Sequence, residues 1–196
     1  MPSPIDVSSV VGLVAVGVFT AQILLGLLLS VGYNPLRQWP RQRVKLFTVH
    51  NWLGYIGLGT AATHALILLT VPNKAGGHSF RVFDLLVPIW SPVQPFTNTL
   101  GAIAFYLVAF VVITSYFRRL YAHHTWKALH YTAYAAATVF FTHGILSDPN
   151  LNNAPVDWID AEKVYVEGCA LLIVVATLMR VRWRAGVRRQ LRLRPQ

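Results

Sequence analysis

The sequence predicts an all-α integral membrane protein, a five-helix transmembrane bundle with its N-terminus outside and its C-terminus inside. Three observations carry this. Apolar residues make up 55% of the 196 and the mean hydropathy is +0.48, more apolar surface than a small soluble domain can bury. Charged residues are only 12%, about half of the roughly 25% usual in soluble domains. The 17 Lys and Arg, against 7 Asp and Glu, lie between long apolar runs. That placement excludes reading the net charge of +10 as a soluble nucleic-acid-binding face.

A bilayer-spanning helix needs about 20 apolar residues, and five segments qualify. They cover residues 10–31, 46–71, 100–117, 128–146 and 164–179. The first has no Lys or Arg before it, so it lacks the positive region of a secretory signal and reads as a retained helix behind an outer segment, residues 1–9. Asn34-Pro35 closes the first helix, Pro72-Asn73 the second and Ser147-Asp148-Pro149 the fourth. The fourth is the least apolar, because Tyr, Thr and His interrupt it. Within the long 72–99 connection, VFDLLVPIW (82–90) is too short to span and reads as interfacial, anchored by Trp90. The lone Cys169 excludes an intrachain disulfide and reads as a small buried thiol.

Charge sets the orientation. Arg37, Arg41, Arg43 and Lys45 follow the first helix; Arg118, Arg119 and Lys127 follow the third. Arg180, Arg182, Arg184, Arg188, Arg189, Arg192 and Arg194 follow the fifth. Only Lys74, Arg81 and Lys163 fall in the other connections, so the positive-inside rule places the N-terminus out and the C-terminus in. The core domain is then 10–182, followed by a basic cytoplasmic tail, 183–196. That tail serves as a topology determinant, an interfacial helix attracted to anionic lipid, or a docking surface.

Four of the seven histidines lie within spans: His50 and His64 on the second, His130 and His143 on the fourth. The two helices run in the same direction. Separations of 14 and 13 residues correspond to about 21 and 20 Å, so imidazoles pair at two depths, His50 with His130 inside and His64 with His143 outside. Ionisable groups at membrane depth are costly and mark function. A zinc or di-iron site needs three or four converging ligands, often carboxylates, which these spans lack. Two opposed imidazoles suit haem iron, whose equatorial positions the porphyrin fills. Two stacked haems, each bis-histidine ligated, are therefore expected.

Small residues agree with this: Gly54, Gly57, Gly59, Ala61 and Ala62 lie between the histidines of helix two, and Ala133, Ala135, Ala136 and Ala137 between those of helix four. Such residues also serve plain helix packing. Haem propionates call for cations, and Arg41, Arg43, Lys45 and Lys127 lie near the inner pair, Lys74 and Arg81 near the outer. At about 100° per residue, 13 residues turn His143 roughly 140° from His130 on a straight helix. Either a wide or π-type turn in the alanine-rich stretch corrects this, or the two haems approach from different sides. His78 reads as interfacial or solvated, and His123 and His124 as surface residues. Glu167 is expected to pair with Lys163, one turn away.

Taken with the string TSYFRRLYAHHTWKALHYTAYAAATVFFTHG at 114–144, the paired histidines resemble the ferric reductase-like transmembrane domain family. That family includes the membrane cores of NADPH oxidases and ferric-chelate reductases, and the haem subunit of a bacterial methionine sulfoxide reductase system. The resemblance spans roughly residues 10–182. It implies an inner haem b on His50 and His130 and an outer one on His64 and His143. It also implies electron flow outward from a cytoplasmic flavoprotein or membrane quinol, in a multi-pass protein of a cell membrane, such as the bacterial inner membrane. No FAD or NAD(P) site is expected in this chain, so the donor is separate and the chain is an oxidoreductase component with no catalytic side chains of its own. Two alternatives stand beside this: a haem subunit dedicated to a periplasmic oxidoreductase partner, and a haem-free scaffold or metal or proton transporter.

Overall fold

The structure, a computed structural model, describes residues 3–32, 45–72, 79–87, 89, 91, 93–148 and 155–193. Among them every regular element is helical: α1 (Pro4–Val31), α2 (Leu46–Ile67), α3 (Val82–Leu86), α4 (Pro95–Tyr116), α5 (His123–His130), α6 (Thr132–Leu146) and α7 (Ala161–Leu193). Short 3-10 turns follow α2 (Leu68–Thr70) and α4 (Arg118–Leu120). Its two ends are called inner and outer after the charge pattern.

Helix α1 begins six residues before the apolar run because its start is chemically specified. Ser3 Oγ accepts the Asp6 N–H at 3.1 Å, and the Asp6 carboxylate accepts the Ser3 N–H at 2.8 Å, a reciprocal capping box with Pro4 in the first turn. Gly32, at φ 72°, ends it in the left-handed conformation that glycine adopts without cost. Helix α4 also starts early, at Pro95. Its N-cap is Gln94, held at φ 47°, and the Gln94 amide is tied on both sides to the main chain of Asp148, Nε2 to O at 2.9 Å and Oε1 from N at 3.1 Å. This double bond locks the start of α4 to the end of α6.

The predicted fourth span is not one helix. It breaks at Tyr131 into α5, of 8 residues, and α6, of 15. Tyr131 N is shared between Lys127 O and Ala128 O, Tyr134 N donates to Tyr131 O, and the Thr132 hydroxyl donates to Leu129 O at 2.7 Å, so 3-10 and side-chain bonds tighten the helix there. The alanine-rich stretch itself is regular α-helix, so the irregularity lies beside His130 and not within that stretch. As a result four helices, not five, are long and apolar enough to cross a membrane: Pro4–Val31, Leu46–Thr70, Pro95–Tyr116 and Ala161–Val187. Helix α6, about 22 Å long at 1.5 Å per residue, falls short by length alone.

Helix α7 is longer than the predicted fifth span at both ends and carries the basic tail onward as helix to Leu193. The expected pair of Lys163 with Glu167 is not formed. The Lys163 ammonium turns to the C-terminus of α6 instead, donating to Gly144 O and Ser147 O, where unpaired carbonyls and the helix dipole favour a cation. Glu167 Oε1 is buried without a hydrogen-bond partner.

Packing pairs α1 with α2 and α4 with α6, with α7 closing against α1 and α6. The interior is thin: Val16, Phe141, Val166 and Ile173 form its core, with Cys169 partly buried against them. Apolar side chains such as Ile113, Leu171 and Val174 are more than half exposed on the outside, the arrangement of helices solvated by lipid. Helix α3 lies at the outer end with Val82 and Phe83 exposed; Trp90, expected to anchor it, lies outside the described residues. Helices α2 and α6 are held by other neighbours rather than by each other, which leaves a gap between them.

Gln94 offers a direct test. Gln94→Ala removes both bonds to Asp148 and keeps a Cβ at positive φ, whereas Gln94→Gly removes the bonds but relieves the backbone. Thermal unfolding in detergent is expected to rank wild type above Gly above Ala, with Ala lower by about 2–4 kcal/mol. Identical melting of all three would show that the α4–α6 tie carries no stability.

Candidate functional site

The structure brings the four histidines together in the two predicted pairs. His50 faces His130 with ring centres 6.3 Å apart and planes at 70°. His64 faces His143 at 6.4 Å and 71°. The two pairs are near copies of one geometry.

Each ring is held from behind through Nδ1. His50 Nδ1–H donates to Gln22 O at 2.9 Å, His64 to Ser8 O at 2.7 Å and His143 to Thr97 O at 2.8 Å. A carbonyl can only accept, so Nδ1 carries the proton and the Nε2 lone pair is left for a ligand. Ser8 reinforces its partner by donating its hydroxyl to His64 O at 3.0 Å. His130 differs: its Nδ1 meets the Ser115 hydroxyl at 3.2 Å, and its ring stacks on Trp126 with centres 5.2 Å apart and planes at 24°.

The carbonyls are reachable because a glycine stands four residues beyond each. A Cβ on Gly26 would meet His50 Cε1 at 3.1 Å, one on Gly12 would meet His64 at 3.1 Å, and one on Gly101 would meet His143 at 2.8 Å. These windows are spaced like the histidines. Gly12 and Gly26 on α1 are 14 residues apart, as are His64 and His50 on antiparallel α2; Gly101 and Ser115 repeat the interval on α4. On the α5–α6 side the interval is 13, with the interruption at Tyr131 between the two histidines, and both imidazoles meet their partners.

Cavities flank the pairs. The inner pair opens on one of about 170 Å³, lined by Gly26, Ser30, Ala133, Ala136, Tyr134 and Arg180 among others. The outer pair lies between one of about 140 Å³, lined by Ser8, Gln94, Asn98 and Lys163, and one of about 290 Å³, lined by Ala61, Ala62, Gly101 and Phe105. Phe19 and Phe140, in edge contact at 5.2 Å, separate the two levels.

A family model described as the ferric reductase like transmembrane component matches residues 11–141, well over half of the chain. The chain belongs to this family. Ferric reductase-like transmembrane components serve electron transfer through membranes and often bind haem. Their match here takes in His50, His64 and His130 and ends two residues before His143, whose place is fixed by the geometry above. Among curated proteins and among solved structures, no match was found.

The remaining residues singled out by sequence lie as follows. Lys127 is exposed and does not line the inner cavity, and Arg81 lines neither outer one. Arg41, Arg43, Lys74 and His78 lie outside the described residues. Lys45 occupies the N-cap position of α2 with no side-chain capping bond, and His123 and His124 are exposed as expected. Gly54 and Gly57 pack against Gln22 and Phe19 of α1, while Gly59 faces open space. Gly12, Gly26, Gly101, Ser115 and Trp126 were not singled out by sequence; the shared interval of 14 was the available signal.

A contrast of glycines checks the windows. Gly59→Ala, which meets nothing within 4 Å, is expected to leave thermal stability unchanged or raise it by up to about 1 kcal/mol. Gly101→Ala is expected to lower it by about 1–3 kcal/mol by pushing His143 off Thr97 O. Equal melting temperatures would contradict the window.

Proposed function

We propose that this ferric reductase-like chain is a di-haem b electron carrier, with His50 and His130 ligating an inner haem and His64 and His143 an outer one. The duplicated imidazole pair carries the reading. A metal bonded at about 2 Å to one nitrogen of each ring, with rings about 1.1 Å in radius, sets opposed ring centres about 6 Å apart, against the 6.3 and 6.4 Å found. Among the described residues no group of three or more His, Cys, Asp or Glu converges to hold a metal. Two imidazoles therefore suit a metal that brings its own four equatorial donors. Apolar cavities beside each pair give a flat macrocycle room.

Held by these imidazole pairs, haem b would supply a one-electron couple suited to electron transfer. The rest is the chain's work. Donation from Nδ1 to a carbonyl fixes the ring planes of His50, His64 and His143 and raises the basicity of Nε2. The apolar helices exclude water and tune potential through burial. Arg41, Arg43 and Lys127 are proposed propionate partners from the charge pattern, Lys127 requiring its exposed side chain to turn inward.

In this reading α6, continued by α5, is the fifth crossing segment of a multi-pass cell-membrane protein, N-terminus out and C-terminus in. Electrons enter from a cytoplasmic flavoprotein or membrane quinol and leave to an acceptor at the outer face, with a dedicated periplasmic oxidoreductase as one form of that acceptor.

A reduced-minus-oxidised spectrum of haem-replete purified protein tests this. A b-type signal with two haems per chain is expected. His64→Ala should remove the outer haem and outward transfer while sparing the inner one; His50→Ala should remove the inner. Absence of haem from the wild-type chain would leave a haem-free scaffold or transporter as the surviving reading.

A further inference from the structure

The inner cavity contains one charged residue, and it is one of the seven arginines after the fifth span that read as topology signals. Arg180 on α7 lines this cavity together with His50, His130, Ser30 and Tyr134. Its guanidinium is oriented by two neutral hydroxyls: Nε donates to Ser30 Oγ at 2.6 Å and Nη1 to Tyr134 Oη at 2.7 Å. The Ser30 hydroxyl spends its own proton on Leu27 O. One turn further on, Arg184 donates to Ser30 O at 2.7 Å and caps the C-terminus of α1.

This arrangement lacks a negative charge. A guanidinium has five N–H donors; these bonds use two, and the Tyr131 hydroxyl in the same lining accepts from Arg180 as well. Tyr134 Oη accepts from Arg180, so its own proton remains to be donated. The seven acidic residues are Asp6, Asp84, Asp148, Asp157, Asp160, Glu162 and Glu167. The nearest in sequence, Glu167, lies 13 residues back along the same helix, about 20 Å away. A half-buried arginine braced by hydroxyls, in a cavity with no acidic lining residue, is arranged to meet a carboxylate or phosphate that the chain does not supply.

We propose that Arg180 and Tyr134 form an anion subsite of the inner cavity that grips a carboxylate of the molecule held there. On the haem reading, on which this assignment rests, that carboxylate is a propionate of the inner haem. Arg184 acts as a positioning residue, holding Ser30 in place. The shared chemistry of carboxylate and phosphate makes a lipid headgroup the competing source.

The test uses the full chain, stripped of haem, in phosphatidylcholine nanodiscs. His64→Ala leaves only the inner pair, and this background is titrated optically with haem and with haem dimethyl ester, which has no carboxylates. Arg180→Gln is expected to weaken haem binding about ten- to a hundredfold and to leave ester binding within about twofold. Arg180→Lys, which keeps the charge but loses the fork, should fall between, and it serves if the Gln variant does not fold. Equal loss with haem and ester, or a loss seen only when phosphatidylglycerol is added, would overturn the proposal in favour of a structural or lipid-phosphate role. Unchanged haem affinity in both variants would overturn it too. Failure of the wild-type chain to bind either compound would instead remove the haem reading itself, and the subsite with it.

Discussion

An imidazole at membrane depth must dispose of two ring nitrogens in a medium that solvates neither. That constraint organises the rest of the structure. One nitrogen is satisfied by a backbone carbonyl that is already part of a helix, so the histidine's neighbour must let the ring approach its main chain. A glycine one turn on is the solution at Gly12, Gly26 and Gly101. The helices behind the histidines, α1 and α4, are therefore as much a part of the site as α2 and α6.

From this follows the division of labour in the bundle. Helices α1 and α2 pack closely because glycines on both sides admit partner side chains, with Gly54 and Gly57 receiving Gln22 and Phe19. Helices α4 and α6 pack as the second pair, with Gly101 of α4 receiving the His143 ring. The two hairpins then face each other across the gap, and the imidazoles reach into it without direct packing between their helices. Serine takes the glycine's place only at position 115, where a hydroxyl meets the ring in place of a carbonyl and Trp126 supplies the second restraint on His130.

Much of this was legible in the sequence, for stated physical reasons. Intramembrane histidines are rare, so four of them at matched spacing paired correctly. Orientation of the small residues was not legible in the same way. Reading glycines on the histidine's own helix found packing contacts, because the steric demand falls on the neighbouring helix. The break at Tyr131 carries no proline or glycine, so nothing in the local composition announced it. The early start of α1 was available in Ser3 and Asp6, two polar residues that an apolar-run criterion passes over. Arg180 was hidden among seven arginines whose shared charge gives the side of the membrane but not which one turns inward.

Helix α7 holds the ends of two different helices at opposite faces. Lys163 binds the last carbonyls of α6 at the outer end, and Arg184 binds the last turn of α1 at the inner end, 21 residues or about 32 Å along the same rod. A strut fastened at both ends resists sliding of α1 past α6 along the membrane normal. Since α1 carries the carbonyls behind His50 and His64 while α6 carries His143, such sliding would shear the outer ring pair. Helix α7, which supplies neither a histidine nor a carbonyl behind one, thus acts as the gauge that keeps the two levels of the site in vertical register.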